Sequence, residues 1–157
     1  MFIRYFLDLP LSYEEVEARL LAAPEAWVPS LARDSDDRGV QLLAEVGLPF
    51  DEAHRLDKRV EIVLGPPYRI PGRTLLPLTW RATGPGRLFP SLDADVEVAA
   101  VGPHRTQLSI SARYRPPFGA VGRALDRALL HRVAEATVKD FLDRMGQSLG
   151  AEAPAEA

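Results

Sequence analysis

The side chains able to do chemistry in this chain are few and dispersed. There is no cysteine, which excludes disulfides, thiolate nucleophiles and Cys-ligated zinc or iron–sulfur centres. The three histidines, His54, His104 and His131, lie too far apart to pair as ligands on one helix turn. The one metal-like string is Asp34-Ser35-Asp36-Asp37-Arg38-Gly39, with Glu45 beyond it. Positions one, three, six and twelve match D-x-D-x-x-G-x₅-E of a calcium loop, but Arg38 at position five puts a cation where an oxygen ligand is needed. Strand-like residues follow it, so the string reads as a solvated turn. Gly119 and Gly122, at the start of a helix, offer amides to a phosphate, but the remaining residues of a phosphate loop are missing, and close packing accounts for them. Asp126 and His131 sit about 140° apart on a helix and form no local acid–base pair. There is neither a G-x-S-x-G elbow nor a Ser-His-Asp order. Any catalysis would have to rest on Asp, Glu, Arg, Tyr or Ser gathered around a cavity, and none of these clusters in sequence. No metal or cofactor is called for.

The elements that would position such a site belong to one domain. The chain has 157 residues, 46% hydrophobic and 26% charged, which are globular values. We assign residues 1–149 to the domain and read the small, acidic stretch 150–157 as a disordered tail. The net charge of −3 is uneven: residues 1–57 carry five arginines against twelve acids, and residues 58–149 carry fourteen bases against eight acids. The bases are scattered singly and not interleaved with aromatics, so nucleic acid is not expected as a partner. Arg4 and Asp8 break the apolar start, and no apolar run is long enough to span a membrane. A cytoplasmic protein is the default expectation, with its oligomeric state open.

Phe2–Leu9 reads as a strand ended by Pro10. Ser12 and Glu15 form a capping box that starts a helix running to about Ala22. Pro24 opens a second short helix over Glu25–Leu31, kept short by Pro29. D-S-D-D-R-G then reads as a turn, Val40–Val46 as a strand, and Gly47–Asp57 as a loop. Val60, Ile62 and Leu64 alternate as a strand. Gly65–Gly72 reads as a rigid turn. Leu76, Leu78, Trp80 and Ala82 form one face of the next strand, which Pro77 assigns to an edge or a bulge. Leu92, Ala94, Val96 and Val98, and then Leu108, Ile110, Ala112 and Tyr114, alternate with polar residues over two strands of a half-exposed antiparallel sheet. Residues 118–149 contain no proline, and their two apolar stripes predict a long helix that contacts two surfaces or bends near Ala128–Ala134.

Strand, two short helices, about five strands and one long helix is an order that resembles the START-like (SRPBCC, birch-pollen-allergen-like) superfamily. Thr106-Gln107-Leu108 through Tyr114-Arg115-Pro116-Pro117-Phe118-Gly119, running into Leu125-Asp126-Arg127, is similar to the end of bacterial polyketide cyclase/dehydrase-like members. Leu88-Phe89-Pro90 is similar to an element before their penultimate strand. The resemblance implies an α+β helix-grip fold, with a curved antiparallel sheet wrapped around a long C-terminal helix. It also implies a cavity between sheet and helix for a small hydrophobic or amphipathic ligand such as a lipid, a quinone or a polyketide-like molecule. No catalytic motif of the superfamily carries over. A polyketide cyclase or dehydratase using the same cavity, and an interaction module of the co-chaperone type, stand as alternatives.

The expected ligand-binding residues are the inward strand positions Leu76, Leu78, Trp80, Val96, Ile110, Ala112 and Tyr114, joined by Leu125 of the long helix. Trp27 and Phe118 are expected at the cavity mouth, with Tyr68 and Phe89 in loops nearby. Each has an ordinary reading as core or loop anchor, since apolar sites share the composition of cores. Ala94 and Ala112 leave room where bulk would fill it, and the Tyr114 hydroxyl ends the inward stripe where it can orient a polar ligand group.

Overall fold

A computed structural model of the chain describes residues 1–45, 59–83, 91–115 and 127–150. Its sheet follows from period-two alternation. Strands β1 (Phe2–Leu9), β2 (Arg59–Leu64), β3 (Tyr68–Ile70), β4 (Arg73–Thr83), β5 (Ser91–Gly102) and β6 (Arg105–Arg115) form one curved antiparallel sheet in the order β1-β6-β5-β4-β2, with β3 also paired to β4. Its apolar face is covered by helices α1 (Tyr13–Leu21), α2 (Pro24–Glu45) and α3 (Arg127–Gly150). The Ser12 hydroxyl accepts from the Glu15 amide at the start of α1, as the capping box predicts. None of these helices is long and apolar enough to cross a membrane.

Helix α2 departs from expectation. It runs 22 residues, through the presumed D-S-D-D-R-G turn and the described part of the presumed Val40–Val46 strand. The reason is burial. Val28, Ala32, Ser35, Asp36 and Gly39 are all buried and fall on one helical stripe, and tertiary packing of such a stripe outweighs local turn propensity. Pro29 does not stop the helix because it sits early, where it removes only the bond to the Glu25 carbonyl.

Helix α2 lies on α3, not on solvent. A Cβ built on Gly39 would collide with Thr137 Oγ1, so the two backbones approach closely there. Ser35 Oγ donates to Asp140 Oδ2 at 2.9 Å, and Arg144 Nε donates to the same oxygen at 2.7 Å. The other side of α3 meets the sheet, with Phe141, Leu142 and Met145 fully buried and Gly146 close against Leu7 of β1. The two-surface reading of the long helix is therefore the right one.

Pro77 also sits differently from expectation, because β4 is an interior strand. On one flank β4 pairs first with β3, over Arg73–Leu75, and then with β2, over Leu78–Thr83. Pro77 falls in the gap between those two partners. Its carbonyl accepts from the Gly65 amide at 2.8 Å, so its missing N–H costs no ladder bond. The stretch read as a rigid turn thus contains β3. Pro71 and Gly72 close the β3–β4 hairpin, and Gly72 adopts φ +74°, a conformation that favours glycine.

Candidate functional site

Cross-strand pairing arranges the inner face in rows. Leu76, Val96 and Ile110 form one row. Leu78, Ala94, Ala112 and Ile3 form the next. Ile62, Trp80, Leu92 and Tyr114 form the third. Two alanines therefore stand beside Leu92 and Tyr114 on their own strands, β5 and β6. The face is closed from above by α2 and α3, and the Trp80 ring meets Phe141 of α3 edge-on, with centroids 5.1 Å apart and planes at 72°.

Polar groups interrupt this apolar surface at the third row. Trp80 is 0% and Tyr114 1% exposed. Neither Trp80 Nε1 nor the Tyr114 hydroxyl has a hydrogen-bond partner among the described residues. They flank Leu92 from opposite sides, about 10 Å apart at the backbone given the spacing of neighbouring strands. Asp36, on the buried stripe of α2, is 0% exposed and its charge acts on the Tyr114 oxygen. Burial first, and the Asp36 carboxylate second, push the Tyr114 phenol well above its ordinary value. Tyr114 is therefore a neutral hydrogen-bond donor throughout the physiological range.

The inner face opens where β2 and α2 part. A cleft of about 490 Å³ lies between the α1–α2 junction and β2. Its walls are Leu21, Pro24 and Pro29 on the helix side and Ile62, Leu64 and Pro67 on the other, with Leu76 lining it as well. Ile62 and Leu76 belong to the inward rows, so the cleft reaches the inner face. Glu25 supplies the carboxylate, and Pro29 leaves the Glu25 carbonyl without its usual helical donor.

A second polar group locks the other end of the fold. Glu17 of α1 is nearly buried and accepts from the Thr74 hydroxyl of β4, the Tyr13 hydroxyl and the Arg69 guanidinium of β3. The Tyr13 and Thr74 hydroxyls are also 2.6 Å apart. Burial alone would raise the Glu17 carboxyl, but these three donors outweigh it and hold it below its ordinary value. Every described partner in this cluster is satisfied, and we read it as structural.

No known protein-family model matches the sequence, and no curated protein matches it. Solved structures do. A conserved protein from Geobacillus kaustophilus is similar over 96% of each chain, with a TM-score of 0.55 at 17% identity. The chain has a helix-grip fold, a curved antiparallel sheet packed on a long C-terminal helix. A hypothetical protein from Helicobacter pylori (TM-score 0.47, 10% identity) covers 92% of this chain and 88% of its own. An aromatase/cyclase from a Streptomyces species (TM-score 0.36, 14% identity) covers 100% and 99%.

Within this helix-grip chain the expected residues fall into three groups. Leu76, Leu78, Trp80, Val96, Ile110, Ala112 and Tyr114 all face inward and are buried; of these, Leu76 lines the cleft. Trp27 is half-buried against the edge of the core. Phe118 and Leu125 lie outside the described residues, as do Phe89, Asp126, the two glycines of Gly119-x-x-Gly122 and the Leu88-Phe89-Pro90 element. Tyr68 is on β3 and exposed, and His131 pairs with Glu135 at the surface, 3.1 Å away. Asp34–Gly39 forms part of a helix and not a loop, and among the described residues no group of three or more acids or histidines is placed to hold a metal. The residues missed from the sequence are Asp36, hidden in the presumed turn, and the cleft walls on α1, α2 and β2.

Proposed function

We propose that this helix-grip chain binds a small apolar or amphipathic molecule, of the lipid, quinone or polyketide-like kind, against the inner face of its sheet. The observation that carries the reading is the cleft beside β2, whose 490 Å³ fall within the roughly 300–1,000 Å³ typical of small-molecule sites and whose lining is mostly apolar. A ligand burying about 300 Å² of apolar surface would gain roughly 7 kcal/mol. Association costs at least about 4 kcal/mol, so apolar burial alone gives binding in the millimolar range. Tighter binding requires polar contacts as well. The mechanism is sequestration, with no chemical step.

The test is organic extraction of the purified protein followed by mass spectrometry, with thermal-shift titration against lipids, quinones and aromatic polyketides. A co-purified molecule, or a saturable rise in Tm with one class, is expected. Leu64→Trp, which places a larger ring in the cleft, should weaken that hit about tenfold, the scale of a steric misfit near 1.4 kcal/mol. No extractable molecule and no shift with any class would overturn the reading.

A further inference from the structure

Strand β1 stands at the end of the sheet, with β6 on one flank and, among the described residues, no strand on the other. The Met1 nitrogen donates to the Tyr114 carbonyl at 3.0 Å, and the Tyr114 amide donates back to the Met1 carbonyl at 2.8 Å. Opposed residues of an antiparallel ladder alternate between pairs that exchange both bonds and pairs that exchange none. The odd-numbered residues of β1 therefore bond β6, and Phe2, Arg4, Phe6 and Asp8 turn their backbone groups to the free edge. The same four side chains lie on the outer face and are exposed, Phe2 at 62% and Phe6 at 59%. We propose that a second copy of this chain docks on that edge, β1 against β1 about a two-fold axis that sets Phe6 opposite Phe6, so that two sheets become one.

Charge selects the second copy and its register. A strand paired with its own copy is isologous, so whatever faces Arg4 is faced by Arg4 of the partner. Only edge-facing residues can exchange bonds, so even-numbered residues must oppose one another. Registers that set Arg4 opposite Arg4, or Asp8 opposite Asp8, place like charges across the ladder and are destabilising. Those that set Phe6 opposite the partner's Arg4 or Asp8 pair no opposite charges. With Phe6 opposite Phe6, Arg4 meets the partner's Asp8 and Asp8 the partner's Arg4, giving two ion pairs around an aromatic pair on the axis. The ladder then ends at Pro10, which has no amide to give. Both charges are available: Arg4 makes no ion pair among the described residues, and Asp8 bonds Arg105 at 2.6 Å in an exposed bridge that leaves it room for a second cation. On the inner side the incoming strand meets a groove of about 530 Å³ between β1 and α3. Gly146 and Gly150 stand in its wall, and their lack of side chains leaves space for the partner's Tyr5, which this register sets beside Leu7. One short ladder buries less than the roughly 1,200 Å² of a standard interface, so the dimer is weak and reversible.

Sedimentation velocity over a micromolar-to-millimolar concentration series tests this. The parent chain is expected to pass from monomer to dimer, and added salt to weaken the dimer. Arg4→Glu and Asp8→Lys should each weaken self-association at least about tenfold, because each sets like charges across both symmetric sites. An equimolar mixture of those two variants should associate as the parent does, since in the mixed dimer every acid faces a base. Phe6→Lys, which sets two like charges face to face on the axis, should abolish the dimer. All three positions are exposed, so the variants should keep the parent's far-UV circular dichroism. A parent that stays monomeric throughout, a dimer that these substitutions leave unchanged, or a mixture that associates no better than its components would overturn the proposal.

Discussion

Gly39 gives the sharpest test of how α2 is seated. In a solvent-facing helix, Gly→Ala gains about 0.5–1 kcal/mol. Here the new methyl would lie far inside contact distance of Thr137 Oγ1 and 3.4 Å from its Cγ2. Thr137 is 1% exposed, and its hydroxyl donates to the Val133 carbonyl at 2.8 Å. The hydroxyl escapes only by giving up that bond, worth about 1 kcal/mol, or the helices separate, and overpacking of this kind costs about 1–3 kcal/mol. After the helix-propensity gain, Gly39→Ala should lose about 1–2 kcal/mol, a fall in Tm of roughly 3–7 °C for a domain of this size. Thr137→Ala removes both crowding atoms and leaves only its Cβ, at 3.5 Å from the new methyl. The double variant should therefore be no less stable than Thr137→Ala alone, with a coupling above about 1 kcal/mol. Urea unfolding of the four proteins, followed by far-UV circular dichroism, gives all the terms. A Gly39→Ala variant more stable than the parent, or a cycle with no coupling, would refute the packing of α2 on α3.

Three further outcomes are expected. Glu17 has its folded-state carboxyl held below its ordinary value, so it contributes stability that is complete above its unfolded value near pH 4.5 and lost as pH falls through the lower folded value; Glu17→Gln should lower Tm at neutral pH by an amount that shrinks on acidification, and an equal loss at neutral and acid pH would contradict this. Ala23 adopts φ +45° between α1 and α2, a left-handed conformation costing a side-chain-bearing residue roughly 1 kcal/mol, so Ala23→Gly should raise Tm by about 1–2 °C despite the extra freedom of glycine in the unfolded chain. Ser35→Ala removes one of two donors to Asp140 Oδ2 and should cost roughly 1–2 kcal/mol in urea unfolding, whereas an unchanged midpoint would mean that Asp140 is already satisfied by Arg144.

The sheet was legible because its two faces meet different solvents. Leu92 to Val98 and Leu108 to Tyr114 alternate without error, and every inward member is buried. Helix α2 was illegible because its buried stripe is built from Ser35, Asp36 and Gly39, residues whose intrinsic preference is for turns. The spacing was present in the sequence, but the signal came from period and not from hydrophobicity. Pro77 was read as marking an edge or a bulge, and only the tertiary arrangement of β2 and β3 shows that it sits in a gap inside the sheet. For the site, the inward position of Tyr114 was readable. Trp80 was read as an apolar wall, which overlooks its N–H, and Asp36 as a solvated charge. The cleft could not be read at all, because Leu21, Pro29 and Leu64 come from elements whose meeting is a matter of tertiary packing.

The break at Gly65 and Pro77 also bears on what this molecule does in company. A sheet edge exposes unpaired amides and carbonyls that a neighbouring chain can extend. On the β4 flank that edge is cut into a six-residue β2 and a three-residue β3, with two prolines, Pro66 and Pro67, between them. Neither piece offers a long, flat ladder, and proline supplies no donor to an incoming strand. Exposed apolar residues on these strands, Val63, Tyr68 and Ile70, can thus be carried without creating a template for edge-to-edge growth. The same interruption that admits Pro77 to the interior of the sheet guards its margin against aggregation.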